Sequence, residues 1–403
     1  MPSAAPRIAS TVVLSRALDD SYPTEVRHNI TALTVARTAA NACYRFAPPF
    51  LATIARDMNV SLDDIGVALA ISELSGLVSP FTGRMVERLP RRAAMVGGLL
   101  AVATGTLIVA SSSGLVLFAI GLVVLSQSKV TFDLGLGAWL ADHVAYERRS
   151  RVVGITETSW AFGLLIGVSA MGLVTAASGW RMGYVVGAVC VLVMAAIVVR
   201  RLPAEPLVAH RTAGAAAPIG RMAGWGWIVV VGNLFLMAAS QFLFVTFGSW
   251  LEDEFDFSAA AISAVVFGLG LGELASSVTS ARRTDQWGKE RSAGMGALLM
   301  VPAGLGLALW NDHLGIGLVC LVVAICGFEF SIVSSLAIGG RLVPGSPARG
   351  IGFLVGAGTL GRALSSVPAT RLYESSGITW PAVLSAACAI VTASAMYVVR
   401  RRS

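Results

Sequence analysis

The chain has 403 residues, 55% of them hydrophobic and only 13% charged, with a mean hydropathy of +0.74 and a formal net charge of +7. Soluble proteins carry about 25% charged residues, and this much apolar surface has no place in one water-surrounded core. The composition excludes most soluble enzyme classes and leaves an all-α polytopic membrane protein, in which each crossing of ~30 Å takes about 20 residues at 1.5 Å per residue.

Residues 1–29 form a polar N-terminal tail carrying Arg7, Arg16 and Arg27. Its longest apolar run, Thr11 to Leu14, is too short for a signal-peptide core. Six apolar stretches follow at about 30–55, 65–86, 93–111, 115–141, 152–177 and 182–199, a first half spanning 30–199. A linker rich in Pro, Ala and Arg occupies 200–224. Six more stretches, at about 225–249, 260–281, 292–310, 314–338, 351–372 and 379–399, make a second half of 225–399, and 400–403 is a short tail. Twelve transmembrane helices in two six-helix, pseudo-symmetric halves are predicted.

Charge sets the orientation. Of the 30 Lys and Arg residues, 23 fall in segments on one side of the membrane, four lie within spans, and only Arg56, Arg181 and Arg371 fall on the other side. The positive-inside rule then places both termini in the cytoplasm of a multi-pass protein of the plasma (inner) membrane. The basic surplus reads as topology, so no nucleic-acid partner is expected. Cys43, Cys190, Cys320, Cys326 and Cys388 lie in apolar stretches without a CxxC pair, and the four histidines sit in four separate loops. No metal site and no cofactor are expected from that pattern. Gly356, Gly358 and Gly361 satisfy a dinucleotide fingerprint but lie in an apolar stretch with no preceding strand, which predicts helix packing. Gly288-Lys289 lacks the upstream glycine of an ATP-binding loop.

The halves repeat at a spacing of 198. The stretch from Gly83 matches that from Ala281, pairing Glu87 with Asp285 and Arg91 with Lys289; Arg151 to Gly154 matches Arg349 to Gly352, and Ser178-Gly179 matches Ser376-Gly377. Parallel six-span repeats describe a transporter with its site at the interface between halves. The loop between spans 2 and 3 resembles the signature of the major facilitator superfamily, G-x-x-x-D-R-x-G-R-R. Gly83, Glu87, Arg88, Arg91 and Arg92 match it, with Glu for Asp and Pro90 for the second Gly, and the later copy keeps Asp285, Gly288 and Lys289. The resemblance implies alternating access, with this loop latching the cytoplasmic side. In span 5, Gly163, Gly167, Val168, Met171 and Gly172 resemble a degraded form of that family's antiporter signature. Glycines at this spacing also serve close helix packing, and both readings stay open.

Nine ionisable residues fall within spans: Arg37, Arg45, Glu73, Lys129, Asp133, Glu157, Glu273, Glu329 and Arg362. At roughly 3 kcal/mol each in lipid, they must pair, face the interior or snorkel. None lies on spans 3, 6, 9 or 12, which the resemblance makes the outer scaffold. Arg37 is expected to lean toward the interface and is left outside the site. Lys129 and Asp133, at i and i+4, are expected to pair. Arg45 and Arg362 are candidate forks for an anionic or zwitterionic substrate. Asn41, Gln127, Trp160, Asn233, Gln241 and Phe328 are candidate cavity linings. Asp133 is the first choice for proton coupling, followed by Glu157 and Glu329, with Glu73 and Glu273 as further coupling or ion-pair groups. The expected function is secondary transport of a small organic molecule by proton-coupled efflux. Uptake of an organic anion by symport or facilitated flow is the alternative, and a membrane-embedded receptor or enzyme the more distant one. The expected partners are the lipid bilayer, protons and a small-molecule substrate, and the chain is expected to act as a monomer.

Overall fold

Prolines and glycines decide where the expected spans break. A computed structural model describes residues 18–203, 220–222, 224–344 and 347–402. The first span is helix α1 (Thr24–Arg45), which stops just ahead of Pro48-Pro49; a 3-10 turn at Pro48–Phe50 leads into α2 (Leu51–Met58). Proline has no N–H to donate to the preceding turn, and Pro48-Pro49 remove two such donors in succession, so the break is written in the sequence. The second span is also broken. Helix α3 (Leu62–Ser75) opens on a capping box between Ser61 and Asp64, passes through a tight turn at Gly76–Val78, and continues as α4 (Ser79–Glu87).

The rest of the first half comprises α5 (Arg91–Ala110), α6 (Leu115–His143), α7 (Tyr146–Phe162), a π-helical stretch at Gly163–Val168, α8 (Ser169–Ser178) and α9 (Trp180–Arg201). The second half holds α10 (Gly224–Phe244), α11 (Phe247–Phe255), α12 (Ala259–Trp287), α13 (Lys289–Leu309), α14 (Leu314–Gly339), α15 (Pro347–Ser376) and α16 (Thr379–Arg402). Among the described residues, ten helices are long and apolar enough to cross a membrane. The two expected spans outside that set are the first and second.

Within the first half, α5 packs on α6 and α9, and α1 on α7 and α9; within the second, α13 packs on α14 and α16, and α10 on α15 and α16. Lipid is as apolar as leucine, so close packing rather than water exclusion holds such helices together. Gly361 shows how close: a Cβ there would stand 2.2 Å from the Leu234 carbonyl oxygen and one at Gly358 3.1 Å from Met237, so these two glycines of the fingerprint face α10, whereas Gly356 has open space. Between halves, α3 lies against α15, and α12 lies against α7, the π stretch and α8.

The repeat reaches the backbone. Gly179 and Gly377, 198 apart, both take positive φ (84° and 62°), as do Asn59 and Asp256 (55° and 52°) where α2 and α11 end. One equivalent turn differs. Gly288 has φ 88°, whereas Pro90 at the matching position has φ −55°, because its ring cannot follow. The signature loop and its copy therefore turn by different backbone routes.

Candidate functional site

The nine intramembrane charges form three connected groups. In the first, Arg37 on α1 is the hub: its guanidinium donates to Asp133 (2.9 Å) and to the Thr156 carbonyl (3.1 Å), and pairs with Glu157 (2.7 Å). Lys129 closes on the other Asp133 oxygen at 2.6 Å, one helical turn away on α6. The expectation that Arg37 snorkels to the interface is therefore corrected. Its fork turns inward because two carboxylates and a carbonyl await it there, and its side chain is only 11% exposed.

The second group joins the halves. Arg45, in the last turn of α1, donates through Nη1 and Nη2 to the two oxygens of Glu273 on α12, at 2.9 and 3.0 Å. Nη1 also reaches the Trp160 carbonyl (2.9 Å), in the turn before the π stretch. The guanidinium lies 4.8 Å from the Trp160 ring and 5.3 Å from that of Phe244. Arg45 is 5% exposed and Glu273 fully buried. Glu329 on α14 is buried beside them, with Glu273, Arg45 and, further off, Glu157 as charged neighbours and the Ser277 hydroxyl on its carboxylate. Among the described residues it makes no ion pair of its own. Elsewhere between α10, α12, α13 and α14, Leu243, Phe244, Phe247, Leu269, Met300 and Phe328 line an apolar cleft.

The third group mirrors the second with the charges exchanged. Arg362 of α15 holds Glu73 of α3 (2.9 Å), while the Tyr44 hydroxyl donates to the other Glu73 oxygen (2.7 Å) and accepts from Arg362 (3.0 Å). Each half thus supplies one guanidinium and one carboxylate to its partner at mid-membrane. Both arginine forks expected for an anionic substrate are filled by the protein's own carboxylates.

The polar candidates divide. Asn41 donates to Ser159 (3.2 Å), Asn233 to the Leu354 carbonyl (2.8 Å) and Gln241 to Ser366 (2.9 Å), all buried ties between helices of one half. Gln127, which donates to Ser75 (2.9 Å), and Trp160 are only partly buried. The Trp160 ring carries Lys129 at 4.8 Å as well as Arg45. On α7 and the π stretch, Gly163 and Gly167 admit Asn41 and Ala42 of α1, and Gly172 on α8 admits Phe50, so this glycine run serves packing.

Three arginines of the acidic face each find a carboxylate. Arg56 pairs with Glu252 and with Asp253 (3.5 Å), Arg371 with Asp63 (2.8 Å), and Arg181 with Asp57. The first two pairs cross between halves. Glu374 adds a third tie, accepting from the backbone N–H groups of Leu62 (2.6 Å) and Asp63 (3.2 Å) at the start of α3. The Arg181 guanidinium, with the Trp180 indole, holds the Asp57 carboxyl below the usual carboxylate range. Gly248 fits this seal closely, since a Cβ there would lie 2.0 Å from the Pro49 carbonyl oxygen. Hydrogen bonds and ion pairs between halves thus occur both at mid-membrane and at this acidic face. Sequence reasoning did not single these residues out. The signal was present: Arg56 on α2 stands one repeat of 198 from the acidic run of Glu252, Asp253 and Glu254 on α11.

At the basic face, Arg91 pairs with Asp142 of its own half (2.9 Å), and Arg88 is exposed. Arg92 and Lys289 are partly buried at the first turns of α5 and α13, and Gly83 has open space where a side chain would stand. The side chains of Glu87 and Asp285 lie outside the described residues.

Comparison with known proteins agrees with this architecture. The chain matches the Major Facilitator Superfamily over residues 33–234. It is 26% identical over 148 residues to Multidrug resistance protein 2 of Bacillus subtilis (strain 168), covering 36% of this chain and 37% of that protein. It is 27% identical over 179 residues to the Uncharacterized transporter YgaY of Escherichia coli O157:H7, covering 43% of this chain and 44% of the relative. The matched region thus spans less than half the length of either relative. In fold it resembles a bacterial homologue of the human lysosomal transporter Spinster, inward-facing and unoccupied, with a TM-score of 0.75 at 13% identity over 94% of this chain and 97% of that one. It also resembles the human organic anion transporter MFSD10 (TETRAN), with a TM-score of 0.68 at 17% identity over 93% of this chain and all of the other. At such identities the likeness is one of fold alone. With half of its length matched by the family and nearly all of it sharing the fold, the chain belongs to the major facilitator superfamily.

Proposed function

We propose that this protein is a secondary transporter that exports a small organic molecule by alternating access, in exchange for protons. In this reading the basic face is cytoplasmic by the positive-inside rule, and the acidic face, tied by ion pairs between the halves, is external. The relative named for multidrug resistance supports the outward direction.

One observation carries the coupling: Glu329 is a buried carboxylate without a cation of its own, beside a pair that joins the halves. A charge left uncompensated in low dielectric is costly, and a proton is its simplest compensation. Asp133, the first choice from sequence, holds two cations, Arg37 and Lys129. The coupling role therefore passes to Glu329, and Asp133 becomes part of an ion-pair cluster. Taking up or losing a proton at Glu329 changes the field on Arg45–Glu273, a contact between the two halves that must move against each other. The signature loop, with Glu87 and Arg88, acts as the cytoplasmic latch when the protein faces outward.

The test uses everted membrane vesicles energised to an acidic interior, with a pH-sensitive dye and a panel of carboxylates, phosphate esters, neutral amphiphiles and lipophilic cations. At least one compound is expected to discharge the pH gradient with the wild type and none with Glu329→Gln. Discharge that persists in Glu329→Gln, or transport indifferent to the gradient in the wild type, overturns the reading.

A further inference from the structure

At the basic face, each half bonds a short segment ahead of its first span to the loop between its fourth and fifth spans. In the first half the segment is residues 18–23. The Tyr22 hydroxyl donates to the Arg148 carbonyl (3.4 Å), and the Arg148 guanidinium donates in return to the Ser21 carbonyl (3.2 Å). Leu18 and Tyr22 are buried, in one apolar cluster with Val144 and Val152 on either side of that loop. The Asp19 carboxylate lies in the field of Arg151 and Arg148. His143, at the end of α6, stands 3.4 Å from Glu25 in the first turn of α1.

In the second half the segment is the end of the linker. The Gly220 N–H donates to the Pro344 carbonyl (3.0 Å), and Met222 packs on the apolar cluster that holds Leu342 and Val343. A Cβ at Gly220 would stand 3.0 Å from the Pro344 Cβ, so the backbone itself lies on the loop. Tyr22 and Gly220 are 198 residues apart, the spacing of the repeat, and Arg148 and Pro344 fall within two residues of that spacing. The same contact is thus built twice from unlike residues, a ring and a guanidinium in one half and bare backbone in the other.

The two loops lead into α7 and α15, and these are helices that lie against the opposite half, α7 on α12 and α15 on α3. We infer that the two segments are straps, which hold the basic-face ends of α7 and α15 and so restrain the seam where the halves move against each other. The N-terminal tail and the linker run directly into the straps, so a pull on either is felt at the seam. Each strap is held by few bonds and few side chains, and segments of that kind open locally at the low end of a protein's stability range. Release of a strap therefore leaves the helices intact. The inference makes no use of Glu329 or of proton coupling.

The test is amide hydrogen exchange of the full-length protein in detergent, wild type beside Tyr22→Ala and Gly220→Val. Tyr22→Ala should speed exchange over residues 143–151 about tenfold or more and leave 340–344 as in the wild type, and Gly220→Val should do the reverse. Tyr22→Ala also deletes a buried ring, so Tyr22→Phe and Arg148→Ala, each removing one bond, should give a smaller rise in the same segment. Unchanged exchange at 143–151 in all three, or a rise in the two milder variants that spreads equally over both loops, overturns the inference. A second readout separates a strap from plain packing: the rate of thiol labelling at the acidic face in a Thr53→Cys background. This readout rests on alternating access, in which loosening at one face is answered at the other. The strap variants should raise the rate severalfold, toward that of Gly248→Ala, which opens the acidic face directly. Faster exchange in the loop with unchanged labelling, while Gly248→Ala still labels faster, reduces the segments to packing and sinks the inference. If Gly248→Ala does not label faster either, the account of the acidic face is at fault, and the localised exchange decides for or against the straps.

Discussion

Arg45→Ala removes one partner of a pair whose other member, Glu273, is fully buried and takes both guanidinium donors at 2.9 and 3.0 Å. Breaking a buried pair from one side costs about 3–5 kcal/mol, because the remaining charge is stranded, whereas an exposed pair is worth about 0–1 kcal/mol. Arg45 also gives up its bond to the Trp160 carbonyl and its place between the Trp160 and Phe244 rings, which puts the loss toward the upper end. At about 2 °C per kcal/mol for domains of some 200 residues, the midpoint of thermal unfolding should fall by roughly 6–10 °C. Glu273→Gln should fall by a comparable amount, since it strands Arg45. The double variant Arg45→Met with Glu273→Met removes both charges at once and should recover most of the loss, to within about 1–2 kcal/mol of the wild type. The assay is tryptophan-fluorescence unfolding of the purified protein in detergent, run as a double-mutant cycle. Additive losses in the double variant, or an Arg45→Ala midpoint within 2 °C of the wild type, refute the account of this pair. The sequence alone makes Arg45 a candidate fork for an anionic substrate, whereas the fork is filled by Glu273 and the variant reads out stability.

Other consequences are equally open to measurement. Gly248→Ala sets a methyl group against the Pro49 carbonyl and should open the acidic face, seen as faster thiol labelling of a cysteine placed at Thr53. Arg56→Ala with Arg371→Ala should change the unfolding midpoint by no more than a few degrees, because both arginines are largely exposed, yet should raise that same labelling rate by severing the ties between halves. Asp57 has its carboxyl below the ordinary value when folded, so its contribution is complete above about pH 4 and fades as acid passes the folded value. Asp57→Asn should therefore lower the midpoint equally at pH 5 and pH 7, and the difference should shrink only below about pH 4. Asp133→Asn should destabilise the protein, since it strands Lys129 and leaves Arg37 with Glu157 alone, while leaving proton coupling in place in the vesicle assay.

Patterns local to a helix were legible in the sequence. Ten of the expected spans, the 198-residue repeat and the i, i+4 pair of Lys129 with Asp133 follow from residue type and spacing, and each has its counterpart in the fold. Partner choice was not legible, because it depends on how far apart the halves stand. Arg45 and Glu273 are 228 residues apart, and nothing in either neighbourhood says that the fork will be filled from the opposite half. Arg37 was misjudged because depth along a helix says how near the interface a side chain starts, not which way it turns. Its direction is set by Asp133 and Glu157 on two other helices. Asn41, Asn233 and Gln241 were read as cavity linings because they are polar residues in apolar spans. A buried amide serves equally well as a tie between helices, and only packing distinguishes the two.

Whether the exchangeable proton resides on Glu329 is read by infrared difference spectroscopy of the reconstituted protein. A pH step should make the carbonyl band of a protonated carboxylic acid appear and vanish in the wild type. That band should be absent from Glu329→Gln and retained in Asp133→Asn. A band that survives in Glu329→Gln and disappears in Asp133→Asn would contradict the account and return the proton to the ion-pair cluster around Arg37.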